Sequence, residues 1–383
     1  MLLLACTRSS PQAPPDVLLL VVDTLRADAL GRGITPNMDA LAGRGTVYEK
    51  AWSTSSWTSP GVVSLLSGRL ATVHRVGATD HGERLAEHVP LVQERFRDSG
   101  WATGSFVANP LAGEAVGLHR GFDQRFERSQ LSSPSLGFPS ADQVYAEALS
   151  WIETTGDTPW FGFVLTLEPH EWAGPSFEGE PTQRYDQAVA RTDLHLGAFL
   201  DELARRGEDP LIVFTSDHGE SLGERGVKGH GTTLFEEQVG VPLIVAGPGI
   251  EATTVSTPVS LVDVAPTLLE RASLPGLGGD GQSLERPREG VTASLLLPLG
   301  RERGAQHAWL QDSGRKEMLV EGGRPSFFDL NSDPGELKPA MTDPAAFQAL
   351  IAEQEQVGEA FQGAVNGDPE AAGPALKALG YTD

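Results

Sequence analysis

Cysteine is almost absent. The 383-residue chain has one, Cys6, which excludes any intramolecular disulfide. Basic residues are scarce, 29 Lys and Arg against 52 Asp and Glu, and the formal net charge is −23. With no basic excess to neutralise phosphates, nucleic acid and an anionic membrane surface are excluded as partners. An anionic substrate would have to be attracted locally, by a metal and a few His or Arg side chains, against the field of the whole chain. Long apolar runs are missing too, and no stretch approaches the ~20 residues of a membrane-spanning helix. Internal repeats are absent. The chain does have the length for a large core, expected as one big domain with a smaller appendix. Its glycine and proline content, 44 and 27 residues, predicts many loops.

The single cysteine has telling neighbours. Leu3-Leu4-Ala5-Cys6 looks like a bacterial lipobox, and residues 7–15 read as a flexible tether. Met1 to Ala5 is too short for the charged and apolar regions of a signal peptide. Two alternatives stay open. Either Cys6 is a lipidation site, which would place the protein in the cell envelope or otherwise outside the cytoplasm on a lipid anchor, or the match is chance and the protein is cytoplasmic.

Val17 to Val22 (VLLLVV) is an unbroken apolar run of strand length, as expected of a parallel strand buried on both faces. Further buried strands are predicted at 102–108, 160–167, 211–215 and 241–246. Helices are predicted at 35–42, 85–98, 141–153, 185–206 and 263–271. Thr46 to Trp52 reads as a strand and residues 109–140 as loop. Strands alternating with helices give an α/β fold, a mostly parallel sheet sandwiched by helices. From about Glu289 the pattern changes. Short polar strands near 305–311, 317–321 and 326–330, then a helix over 343–362, predict a small C-terminal α+β subdomain.

In open α/β sheets, ligands bind beyond the carboxyl ends of the strands. Three buried runs end there on ionisable residues: Asp23, Glu168 with His170, and Asp217 with His218. A hydroxyl-rich loop then meets an apolar helix at Trp57-Thr58-Ser59-Pro60-Gly61 and closes on Gly68, with Pro60 expected at the first helical position. Thr58 would sit at that helix N-terminus, as cap or as nucleophile. Asp23, Asp217 and His218, with the Thr58 oxygen as a fourth ligand, make a divalent-metal site on which a threonine hydroxyl could be activated. The mixed oxygen and imidazole set favours zinc or manganese, with calcium or magnesium left open. His170 and His230 would contact the substrate's oxyanions or handle the leaving-group proton. Arg26 and Asp28 are expected to brace the first loop, Arg26 having substrate contact as its second role, and Lys228 could help bind an anion. Asp186 and Asp193, seven apart on one helix face, are read as bracing, with a second metal as the other role. Glu220 and Glu224 are read as supporting or surface groups. His74, His81, His88 and His119 receive no role.

These segments resemble the sulfatase family of the alkaline phosphatase superfamily. The resemblance rests on VLLLVVDTLRAD at 17–28, TPNMDALAGRG at 35–45, WTSPGVVSLLSG at 57–68 and GWATGSFVANP at 100–110. It continues through EPH at 168–170, YDQAVARTD at 185–193, VFTSDHGESLGERG at 213–226 and GHGTTLFEEQVGVPLIVAGPG at 229–249, and closes with SLVDVAPTLLE at 260–270, FFDLNSDPGE at 327–336 and LKALGY at 376–381. It implies a sulfatase-like catalytic domain over 16–288, a C-terminal subdomain and tail over 289–383, and a small anionic ester as substrate. Asp23 and Asp217 match metal aspartates of the family, and His170 a substrate-site histidine. His218 stands where calcium sulfatases have asparagine, and His230 where sulfatases place a substrate-binding lysine. Thr24 replaces a second metal aspartate.

The nucleophile departs from the family. Sulfatases carry Cys or Ser followed by x-Pro-Ser-Arg, and the first residue becomes formylglycine. Here Thr58 leads and Val62 replaces the arginine, so no formylglycine is expected. A sulfated threonine cannot eliminate sulfate as a hemiacetal does, and it would have to be hydrolysed at sulfur, which is slow. Phosphoester chemistry is therefore favoured over sulfate-ester chemistry. Two other readings are a phospho-group transferase, which would usually carry membrane helices, and a catalytically silent binding protein on a sulfatase scaffold. The changes at Thr24, Gly61 and Val62 motivate the silent reading.

Overall fold

The computed structural model describes residues 14–79, 82–127, 138–299 and 304–367. Cys6 and the LKALGY segment lie outside them, as does most of the tether. The main sheet has eight strands: β1 (Val17–Val22), β2 (Gly45–Tyr48), β3 (Ala102–Val107), β4 (Gln124–Glu127), β5 (Trp160–Thr166), β6 (Leu211–Thr215), β7 (Leu243–Ala246) and β8 (Thr253–Val255). Their spatial order is β8-β2-β7-β6-β1-β5-β3-β4, and β7 alone runs against the rest.

The unbroken apolar run of β1 takes a central place, and all six of its residues are buried. Leu18, Leu20 and Val22 face one core cluster and Val17, Leu19 and Val21 the other, so both faces of the sheet are covered. On the first face lies α5 (Pro181–Arg206). Its buried residues, Tyr185, Ala188, Val189, Thr192, Leu196, Phe199 and Leu203, recur every three or four positions, as one helix face requires. α4 (Ala141–Thr155) packs beside it through Tyr145, which stacks on Phe199 at 4.5 Å. On the second face lie α2 (Thr58–Ser67), α3 (Val92–Asp98) and α6 (Val264–Arg271). Short α1 (Pro36–Ala42) precedes β2.

Three local expectations change. The helix expected from Leu85 starts only at Val92, because Pro90 restricts the residue before it to extended backbone and Leu85 ends a short strand. Residues 109–140 contain edge strand β4, whose exposed Gln124 and Arg125 hide it from an apolar search. The run from Thr46 to Trp52 breaks into β2 and a two-residue strand, Ala51–Trp52.

The C-terminal antiparallel sheet comprises β9 (Gly290–Leu295), β10 (Gln306–Gln311), β11 (Arg315–Val320), β12 (Ser326–Asp329) and β13 (Ala340–Met341), in chain order. Helix α7 (Ala345–Phe361) follows, its Phe347 packing on Trp309 of β10 at 5.8 Å. This sheet is tied to the main body by Lys316, which is buried against Glu236 at 2.9 Å. No helix among the described residues is long and apolar enough to cross a membrane.

Candidate functional site

Register builds the site. β1 pairs with β5 at Val22↔Thr166 and with β6 at Val21↔Thr215, so the three strands end at one level. Asp23 follows β1, and Asp217 and His218 follow β6, all fully buried. Asp23 Oδ1 and Asp217 Oδ2 each lie 3.6 Å from His218 Nε2. Thr58 begins α2 directly opposite, its Oγ1 3.3 Å from His218 Nε2 and donating to Asp23 Oδ2 at 3.4 Å. Trp57 is the cap and Pro60 the third helical residue rather than the first, where its missing N–H costs nothing because first-turn amides have no partner within the helix. Gly61 brings the helix this close. A Cβ there would stand 2.6 Å from the Asp217 carbonyl oxygen, so the glycine is a packing requirement of this site and not a loss.

The donor set fits a divalent cation. Asp23, Asp217 and His218 are the one such group among the described residues, their ligand atoms all within 4.8 Å of one another. Asp23 Oδ1 and Asp217 Oδ2 have no hydrogen-bond partner although buried. His218 Nδ1 donates to the Gly219 carbonyl at 2.9 Å, which leaves the Nε2 lone pair facing both carboxylates, the usual arrangement of a ligating histidine. Burial, then the charge of Asp217, raises Asp23 to about 7, and burial raises Asp217 to about 7. Burial and His230 hold His218 neutral, lowered to about 3. Two carboxylates that resist ionising side by side are what a cation would relieve.

Two more histidines close over the triad. The His230 ring centroid is 4.5 Å from that of His218 and 5.0 Å from that of His170. His230 Nδ1 bonds the buried Glu220 Oε2 at 2.7 Å, and burial with His170 lowers its pKa well below the ordinary value. Burial would lower His170 as well, but its bond to Glu171 and the charges of Asp23, Glu171 and Glu220 outweigh it and raise it to about 9. The loop carrying His230 is pinned from several sides. Gly231 N donates to Ser56 O at 2.6 Å and Leu299 N to Gly231 O at 2.7 Å. The Gln306 amide reaches Thr232 O at 2.8 Å, and buried Gln238 accepts from the amides of Thr232 and Thr233.

Asn109, which the sequence does not single out, belongs here. Its amide donates to Asp23 Oδ2 at 2.7 Å and Thr58 Oγ1 at 3.3 Å, and its own oxygen accepts Leu111 N. Its one signal was its place just after buried strand β3. Other residues lie elsewhere. Glu168 turns away from His170 and accepts the Ala141 amide at the start of α4. Arg26 takes the bracing role, paired with Asp28 and Glu224 at 2.7 Å each and donating to Glu220 O. Lys228 is exposed on a two-residue strand. Asp186 pairs with Arg32, and Asp193 accepts the Asn37 and Met38 amides that open α1, so the second-metal reading of this pair fails. A cavity of about 540 Å³ lies at the seam with the C-terminal sheet, lined by Arg26, Trp52, Glu236 and Leu310 among others, and no triad residue lines it.

Comparison with known proteins bears on the family and the fold. The profile of the family described as Sulfatase matches residues 15–274. The low-salt glycan biosynthesis sulfotransferase Agl7 of Haloferax volcanii is 30% identical over 275 residues, 66% of this chain and 60% of that protein. The chain thus spans less than two thirds of that relative's length. The choline-sulfatase of Rhizobium meliloti (strain 1021) is 34% identical over an alignment of 426 residues, 84% of this chain and 81% of that protein. Among solved structures, the phosphonate monoester hydrolase of Agrobacterium radiobacter shares the fold with a TM-score of 0.71 at 21% identity, over 93% of this chain and 100% of that one.

Proposed function

The chain belongs to the sulfatase family, and from that footing we propose that it is a metal-dependent hydrolase of a small anionic ester, with Thr58 as nucleophile and a phosphoester as the favoured substrate. One observation carries the reading: Thr58 Oγ1 lies 3.3–3.4 Å from His218 Nε2 and Asp23 Oδ2, in a buried group that also holds two partnerless carboxylate oxygens. A divalent cation held by Asp23, Asp217 and His218 would lower the pKa of the threonine hydroxyl and screen the charge of the ester. The imidazole and carboxylate set favours zinc or manganese for that role.

Thr58 Oγ1 passes its proton to Asp23 Oδ2, to which it donates, and attacks phosphorus, its bond to phosphorus forming as the bond to the leaving oxygen breaks. His170, protonated at neutral pH with its pKa raised to about 9, binds the anionic group and gives the leaving oxygen its proton. Asn109 holds Thr58 Oγ1 and Asp23 Oδ2 in place through one amide. His230, kept neutral by burial and oriented by Glu220, takes a proton from the water that then attacks phosphorus. The bond between Thr58 Oγ1 and phosphorus breaks, phosphate leaves, Asp23 Oδ2 returns the proton to Thr58 Oγ1, and the proton taken by His230 passes to the neighbouring His170 ring, 5.0 Å away. Two neighbouring histidines with pKa values pushed apart supply acid and base in one pocket. Threonine cannot release sulfate by elimination, which is the chemical ground for preferring phosphorus.

The likeness to a sulfotransferase favours one second reading, in which an acceptor alcohol replaces the water. Both readings are tested on purified protein by elemental analysis, followed by assay of p-nitrophenyl phosphate, bis-p-nitrophenyl phosphate and p-nitrophenyl sulfate with zinc or manganese restored. Bound metal with phosphoester turnover is expected. Product partitioning towards an added alcohol supports the transferase, sulfate-ester turnover overturns the phosphoester preference, and metal without turnover on any ester, with or without alcohol, supports a silent binding scaffold.

A further inference from the structure

Asp23 stands at the start of a strained turn. The next residue, Thr24, is β-branched and fully buried, and its φ is +60°, a left-handed conformation that such residues rarely adopt. Something must hold it there. Its own hydroxyl bonds the Asp23 carbonyl at 2.7 Å, and Leu25 N donates to Ser216 Oγ at 2.9 Å. Thr24 N also donates to Asp217 Oδ1 at 3.4 Å, and a further brace comes from a distant element. Tyr185, fully buried near the start of α5, donates its hydroxyl to the Thr24 carbonyl at 2.7 Å and accepts Arg26 N at 2.9 Å. One phenol thus satisfies a carbonyl and an amide on both sides of the turn. Two helical turns further on, Asp193 of the same helix caps α1. Both ends of the segment from Asp23 to Met38 are therefore fastened to α5.

We propose that Tyr185 is a positioning residue for Asp23. Its hydroxyl clamps the turn in a conformation the chain would otherwise leave, and this presets Asp23 Oδ1 against Asp217 Oδ2 and His218 Nε2. The carboxylate cannot swing back, because Asn109 holds Oδ2 from the other side. The inference rests on the metal-site reading given above.

The test compares the wild type, Tyr185→Phe and the double variant Tyr185→Phe/Thr24→Gly, each stripped with chelator and titrated with zinc and with manganese. Tyr185→Phe removes one oxygen and should weaken metal binding about tenfold, the scale of losing a group that orients a ligand. Adding Thr24→Gly should recover part of that affinity, since glycine adopts positive φ without a clamp. Tyr145→Phe, at another buried tyrosine, should lower the melting temperature of the metal-free protein without changing affinity. Unchanged affinity in Tyr185→Phe, or a further loss on adding glycine, overturns the clamp. Should Tyr185→Phe not fold, Thr24→Gly alone decides. Wild-type affinity supports the clamp, and a large loss assigns the turn to threonine's own hydroxyl and overturns it. A wild type that binds neither metal overturns the metal site and this inference together, whereas a binding wild type with an equally binding Tyr185→Phe overturns this inference alone.

Discussion

Two clusters of buried charge in this molecule are built from the same kinds of residue and come out opposite. At the seam, Lys316 Nζ sits 2.9 Å from Glu236 and 2.7 Å from Glu336, with the Trp52 ring 4.6 Å below. Burial opposes its charge, but the two glutamates outweigh burial and raise its pKa, so it stays an ammonium. Beyond β1 and β6, Asp23 and Asp217 are as deeply buried, yet no cation pairs with them directly: His218 beside them is held neutral, and the nearby charge of His170 lowers both pKa values without overcoming burial. Burying an unpaired carboxylate is expensive. A sequence that cancels buried charge at one place and leaves it open at another has a structural weld at the first. At the second it leaves room for the cation proposed above. The proposed site rests on that difference and not on cavity size, since the 540 Å³ cavity lies beside the weld.

The largest effect that could break this contrast is on chemistry. Thr58→Ala should cut turnover at least ~10³-fold, because the nucleophile is gone, while bound metal measured by elemental analysis stays near the wild-type level. A variant within tenfold of the parent would remove Thr58 from the mechanism. Next comes the weld. Lys316→Met leaves buried Glu336 and partly exposed Glu236 without their cation and should cost about 3 kcal/mol in denaturant unfolding.

The corresponding change at the open cluster should have the opposite sign. Asp217 has its pKa raised from 3.8 to about 7. Its contribution to metal-free stability is therefore full below pH 3.8 and lost as pH rises to 7, where the buried carboxylate ionises. Asp217→Asn keeps the side-chain oxygen that accepts His218 N and removes that charge. It should stabilise the metal-free protein by about 1–3 kcal/mol at pH 8 while abolishing metal binding. Destabilisation of the metal-free protein by this substitution would erase the contrast.

A third buried group gives the smallest effect. His74 accepts Val76 N and bonds Ser64 Oγ at 3.0 Å, and burial lowers it from 6.5 to about 3. Its stability contribution is complete above pH 6.5 and falls with acidification towards pH 3. About 1 kcal/mol should be lost in the first pH unit below its ordinary pKa. His74→Asn, which keeps an acceptor for Val76, should flatten that slope in thermal melts.

Much of this was legible in the sequence. Apolar runs ending on Asp23 and Asp217 specify parallel strands with ligands at their carboxyl ends, because one period and one end-signal suffice for both. The helix behind Thr58 was legible for the same reason. Side-chain direction was not. Glu168 and His170 follow the same strand, yet one caps a helix and the other faces the triad, and only the geometry of the turn between them separates their roles. Asn109 follows β3 with no charge to announce it. Gly61 reads as a missing family serine until the carbonyl of Asp217 is found against it. The weld was invisible because Glu236, Lys316 and Glu336 lie far apart in the chain.

The pinned loop around His230 has a consequence for the order of events during synthesis. A chain made from its N-terminus carries Asp23 and Thr58 early, and the strand that brings Asp217 much later. The bonds from Leu299 and Gln306 that fix Gly231 and Thr232 come later still. A growing chain therefore passes through lengths at which Asp23, Thr58 and Asp217 are all present and the loop of His230 has its bonds to Ser56, Glu220 and Gln238 but not yet those from Leu299 and Gln306. The last bonds on that loop arrive with the C-terminal sheet, in the last quarter of the polypeptide.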